Sequence, residues 1–139
     1  MLSYNATIDI SSKGNCDIID ITGSVVSVVS ESKVNNGVVV VFVPGSTASV
    51  TTIEYESGAV EDLKNAIKKI APESIHYNHD DKWGDGNGFS HVRAALLGAS
   101  ISVPLINKVM SLGTWQQIVC IDFDNKPRRR KIVLQVIGD

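Results

Sequence analysis

The sequence predicts an α+β fold in a single compact domain spanning residues 1–139, with mixed or antiparallel sheets and two to three helices. Three observations lead there. Segments alternating with the period of a strand outnumber those with a helical period. Residues 37–43, Gly-Val-Val-Val-Val-Phe-Val, are apolar on both faces, as in a strand covered on both sides. From Gly58 the period changes: Val60, Leu63, Ile67 and Ile70 recur every three or four residues among acidic and lysine side chains.

Taken in order, Tyr4, Ala6, Ile8 and Ile10 alternate with Asn5, Thr7 and Asp9, giving a half-buried strand that Lys13-Gly14-Asn15 turns. Residues 17–21 are short and apolar. Thr22 or Ser24 then caps a helix whose Val25, Val28 and Val29 share a face, although valines suit a strand equally well. Residues 37–43 form a central strand, Pro44-Gly45-Ser46 punctuates it, and residues 47–56 resume a β-rich run. The amphipathic helix follows and ends before Pro72. Residues 73–88 are polar and glycine-rich, too long for a simple turn, and loops of this length often carry function. Asn87 or Ser90 caps a short helix stopped by Gly98. Residues 101–106, 114–123 and 131–137 read as strands, the last two placed around the turn Asp124-Asn125-Lys126-Pro127.

Composition narrows the function classes. With 139 residues, 43% hydrophobic and 20% charged, the chain has the make-up of a folding domain rather than a disordered segment. A net charge of -2 supplies no global positive field, so neither nucleic acid nor an anionic membrane is an expected partner. Cys16 and Cys120 lack any CxxC or Cys/His spacing and read as buried free thiols. The start, MLSYNATIDI, has no basic segment leading an apolar core, which predicts a cytoplasmic protein. The longest uncharged run, residues 34–53, is interrupted by Asn-Gly and Pro-Gly turn chemistry, so no transmembrane segment is expected.

The strongest chemical signal is a cluster. His76, His79 and His91 are the only histidines and fall within sixteen residues, together with Asp80, Asp81 and Asp85. Imidazole and carboxylate are ligands for divalent ions, and imidazole moves protons near neutral pH. A calcium loop is excluded, because placing Gly86 at its turn position puts Trp83 and Val92 where oxygen ligands are required. The run Gly84-Asp85-Gly86-Asn87-Gly88 precedes a helix and can turn N–H groups toward an anion, yet it meets neither the dinucleotide fingerprint nor the P-loop pattern. Gly45-Ser46-Thr47 offers hydroxyls and bare backbone at the end of a buried strand. In Arg128-Arg129-Arg130-Lys131, alternation sends Arg128 and Arg130 to one side, so a guanidinium such as Arg130 can face a bound anion.

Residues 86–98, GNGFSHVRAALLG, with Leu112-Gly113-Thr114-Trp115-Gln116-Gln117, Pro127-Arg128-Arg129-Arg130, residues 43–48 and residues 51–56, resemble the YjbQ-like family over essentially the whole chain. The resemblance implies an α+β homotrimer with sites near subunit contacts, often suspected of holding a metal. It also implies a thiamine-phosphate synthase activity in some members, which joins a thiazole phosphate to a pyrimidine diphosphate and releases pyrophosphate. On that reading His79, His91 and Asp85 are catalytic, and His79, His91 and Glu54 hold a divalent ion, Mg or Zn. Gly45, Ser46, Thr47, Asn87 and Arg130 take the phosphorylated small molecule. By that resemblance many relatives carry histidine where this chain has Gly45, and one branch where it has Phe89. If that histidine is a ligand, Phe89→His restores a nitrogen donor; if His79 and His91 suffice, it does little. The alternative is a non-catalytic oligomeric protein that binds a metal or small anion.

Overall fold

A computed structural model describes all of residues 1–139. The chain runs β1 (Leu2–Ser12), β2 (Asp17–Asp20), α1 (Thr22–Ser32), β3 (Gly37–Phe42), β4 (Ala48–Ile53), α2 (Ser57–Ile70), α3 (Asn78–Trp83), α4 (Gly88–Leu97), β5 (Ser100–Ile106), β6 (Val109–Met110), β7 (Gln117–Asp122) and β8 (Arg128–Gly138). Two antiparallel sheets result, one ordered β1-β8-β3-β5-β6 and the other β2-β7-β4. The architecture is α+β, with four helices where the sequence suggests two to three.

The valine-rich segment after Thr22 is a helix. Val25, Val28 and Val29 are its buried face, because packing on the larger sheet outweighs the modest helical cost of β-branching. Neither Thr22 nor Ser24 caps it: Ile21 stands at the N-cap with no side-chain bond, and the Thr22 N–H and hydroxyl donate instead to Asp20 Oδ1, at 2.9 and 2.6 Å. At α2 the Glu56 carboxylate accepts from the N–H groups of Gly58 and Ala59, both at 2.7 Å, and these bonds hold it below the usual carboxylate range. The polar stretch read as a loop contains α3. It is one and a half turns without a buried residue, so no apolar periodicity announces it.

As expected, β3 is central, between β8 and β5. Its inner face, Val39 and Val41, is fully buried, whereas the outer face is only half covered and ends in Phe42 at 43% exposure. Likewise Ile132, Leu134 and Val136 of β8 point inward, with half-buried residues between them. The last two long strands do not pair with each other. Residues 123–127 cross from the smaller sheet to the larger, as residues 43–47 do between β3 and β4.

These two crossings are tied together, by the backbone bond from the Phe123 N–H to the Thr47 carbonyl (2.9 Å) and by a buried polar cluster. Burial pushes the Cys120 thiol on β7 up to about 12, reinforced by the Asp122 charge; burial likewise raises Cys16. Both cysteines are free and buried, so neither is a nucleophile at neutral pH.

Candidate functional site

The two crossings and the N-terminal end of α4 converge on Asp122 and Asp124, both fully buried. Arg130 meets Asp122 in a bidentate pair, Nε to Oδ2 at 2.8 Å and Nη2 to Oδ1 at 2.9 Å. Its Nη2 also donates to the Thr47 hydroxyl (2.6 Å), which in turn donates to Asp124 (3.0 Å). Asp124 further accepts from the Asn87 amide (3.3 Å) and faces the Arg128 guanidinium at 3.2 Å. Burial alone raises an acid, but hydrogen bonds from Thr47 and Asn87 and the Arg128 charge outweigh it and hold Asp124 below its ordinary value. The Asp122 hydrogen bond raises Arg130 above its ordinary value.

This network reassigns two residues expected to bind a ligand. Thr47 and Asn87 are buried, and their side chains serve Asp124, with Asn87 also accepting from Ser90 at 2.6 Å. Arg130 is likewise committed to Asp122, but its Nη1 makes no hydrogen bond and lies beside Gly45. A Cβ at Gly45 would stand 3.1 Å from that nitrogen, and the backbone there has φ +117, so a bare residue keeps the guanidinium edge open. Gly45 and Ser46 are exposed and line a cleft of about 360 Å³ with Ala48, His91 and the C-terminal part of α4.

His91 leads from that cleft to the histidine cluster. Its ring and that of His79, from α3, have centroids 4.3 Å apart, tilted by 41°. His79 Nδ1 lies 3.5 Å from Asp80 Oδ1 and 3.5 Å from Asp85 Oδ1, beyond usual hydrogen-bond length, and this buried nitrogen has no hydrogen-bond partner. Ligand atoms of His79, Asp80 and Asp85 all lie within 4.8 Å of one another. An orphaned imidazole nitrogen facing two carboxylates fits a divalent cation.

The glycine run has a different use from the one expected. The α4 N-terminus already holds a carboxylate of its own chain, since the Gly88 N–H donates to Asp80 Oδ1 at 2.9 Å. Gly84 and Gly86 both take left-handed backbone (φ +64) around Asp85. His76 belongs elsewhere: its Nε2 meets Asp81 at 2.7 Å on the exposed side of α3.

Two expectations are corrected. Glu54 does not join the histidines: it follows Ile53 at the far end of β4 from Ala48, which lines the His91 cleft. Six strand residues put roughly 20 Å between those ends. Glu54 borders another hollow with Asp20, Tyr55 and Trp115. Phe89 is the second correction. It is buried, its ring 4.7 Å from the Arg93 guanidinium carbon one helical turn on, and two residues along a helix put it on the face opposite His91. Histidine at 89 would therefore add no donor to the centre. Asp80, one of the clustered acids, joins Asp85 at the centre, and no spacing rule distinguishes it in the sequence from Asp81.

Residues 6–139 match the family described as UPF0047 protein YjbQ-like. The chain belongs to that family. Among its curated relatives, a UPF0047 protein of Methanothermobacter thermautotrophicus is 36% identical over 135 residues, covering 97% of this chain and 92% of the relative. The fold is similar to that of a YbjQ-like protein of unknown function from Sulfolobus solfataricus, with TM-score 0.93 and 31% identity over 99% of this chain and 98% of that one. A YjbQ/UPF0047 protein of Clostridium acetobutylicum has TM-score 0.86 and 32% identity, covering 95% and 99% of the respective chains. No helix of this YjbQ-like chain is long and apolar enough to cross a membrane.

Proposed function

We propose that this YjbQ-like protein is a divalent-metal-dependent enzyme acting on a phosphorylated small molecule. The observation that carries the reading is the buried, unpartnered Nδ1 of His79 between the carboxylates of Asp80 and Asp85. His79, Asp80 and Asp85 would hold the ion, Mg or Zn, with the His91 ring beside it. When bound, the ion supplies positive charge for a departing phosphate or pyrophosphate. The cleft beside His91 orients the substrate, and the free Nη1 edge of Arg130 binds a phosphate oxygen past the bare Gly45. Because Arg130 is locked to Asp122, that edge is positioned before substrate arrives.

The reaction we propose for it is the thiamine-phosphate synthase reaction that the sequence resemblance implies. Purified protein with thiazole phosphate and pyrimidine diphosphate is expected to form thiamine phosphate only when a divalent ion is present. It is also expected to support growth of a thiamine-requiring strain. Ion binding without product would instead establish the non-catalytic reading.

Self-association belongs to the same proposal. The outer face of β3 is only half covered and ends in exposed Phe42, and a homotrimer would supply further cover. Sedimentation equilibrium at micromolar concentration is expected to give three times the chain mass; a monomer would remove this part of the proposal.

A further inference from the structure

We propose that a second site, remote in sequence from the histidine centre, binds a soluble amphipathic anion: a carboxylate on an apolar body. It is a cleft of about 450 Å³ between α1 and the hairpin of β5 and β6, and it shares no residue with the His91 cleft. Its size is that of small-molecule pockets. Val29, Val34 and Met110 belong to the main core and form its buried wall. Val26 and Val109 extend that wall outward at 52% and 66% exposure, so the apolar surface stays in contact with water.

Charge distinguishes this cleft from a packing defect. Lys33 and Lys108 line it from opposite sides, both exposed, and no carboxylate of the chain pairs with either. The nearby acid of α1, Glu31, is engaged by the Tyr4 hydroxyl at 3.0 Å. The walls are fixed to each other before any ligand arrives: the Lys108 N–H donates to the Asn35 carbonyl (2.8 Å), and the Asn107 N–H to Asn36 Oδ1 (3.0 Å). An anionic head between two unpaired ammonium groups, with its apolar body against the valines, satisfies both parts of the cleft together.

Decanoate is the probe, titrated calorimetrically into the full-length protein. One decanoate per chain is expected to bind, and Lys33→Gln with Lys108→Gln together are expected to weaken it about tenfold. Val26→Asp, at an exposed position that leaves the core intact, is expected to weaken it as well. Unchanged thermal unfolding of the variants shows that their fold is kept. Decanol, which has the body without the charge, should bind more weakly than decanoate. The proposal is overturned if decanoate does not bind at millimolar concentration, if the double lysine variant or decanol binds as tightly, or if the protein engages only anionic phosphatidylglycerol vesicles.

Discussion

Arg130→Met is expected to destabilise the protein by about 3–5 kcal/mol, the cost of leaving buried carboxylates without their cation. Arg130 is 12% exposed and closes a bidentate pair with Asp122, which is wholly buried, while also donating to Thr47. Methionine fills similar space without charge, so the loss reports electrostatics rather than a cavity. For a chain of this length the midpoint of thermal unfolding should fall by roughly 10–20 °C. Asp122→Asn added to Arg130→Met should recover a large part of the loss, because the uncompensated charge is gone. A loss below about 1 kcal/mol would mean that the network does not hold the two sheet crossings together.

Gly88→Ala should damage stability and ion binding together. A Cβ there would lie 2.5 Å from Tyr77 Cβ and 2.9 Å from its Cγ, the rigid base of a side chain whose hydroxyl is fixed to the Pro72 carbonyl. It would also stand 3.1 Å from Asp80 Oδ1, the oxygen that accepts from the Gly88 N–H. The start of α4 must retreat from α3, which separates His91 from His79 and Asp80. We expect a loss of about 1–3 kcal/mol in urea unfolding and more than tenfold in divalent-ion affinity. Gly23→Ala is the control, since its Cβ meets nothing within 4 Å and it lies in α1; stability should hold or rise. Equal ion affinity in Gly88→Ala and the wild type would show that the contact between α3 and α4 does not shape the centre.

Much of the scaffold is legible in the sequence because burial writes itself as periodicity. The central position of β3 follows from its two-sided valines, and α2 from an apolar stripe among lysines and acids. What the sequence conceals is whatever lacks that signature. α3 has no buried residue, and β6 is two residues long. The crossing between β7 and β8 looks in the sequence like any turn, since Asn and Pro mark a change of direction but not a change of sheet. Asp122 and Asp124 alternate onto one side, as Arg128 and Arg130 do, and that matched spacing is the trace of the buried pairing.

The candidate centre divides along the same line. Clustering of His79, His91 and Asp85 is visible because these residue types are scarce and chemically distinctive. Glu54 is misplaced because proximity along a β-rich run says nothing about which end of the strand faces the cleft. Phe89 misleads for a rotational reason: two residues from His91 in sequence is the far side of a helix in space. Asn87 and Thr47 are the ligand-binding types of residue at ligand-like loops, yet a buried carboxylate has the stronger demand for their hydrogen bonds.

Calorimetric titration of the metal-free protein with zinc decides the proposal that the orphaned His79 nitrogen and its neighbouring carboxylates hold a divalent ion. Wild type should bind one ion per chain. His79→Ala should bind at least tenfold more weakly, since a ligand matters no less than the partners that orient it. Phe89→His should show no gain in affinity, and His76→Ala, which removes only the exposed pair with Asp81, should match the wild type. No binding by the wild type, or equal losses in His76→Ala and His79→Ala, would rule out an ion at His79.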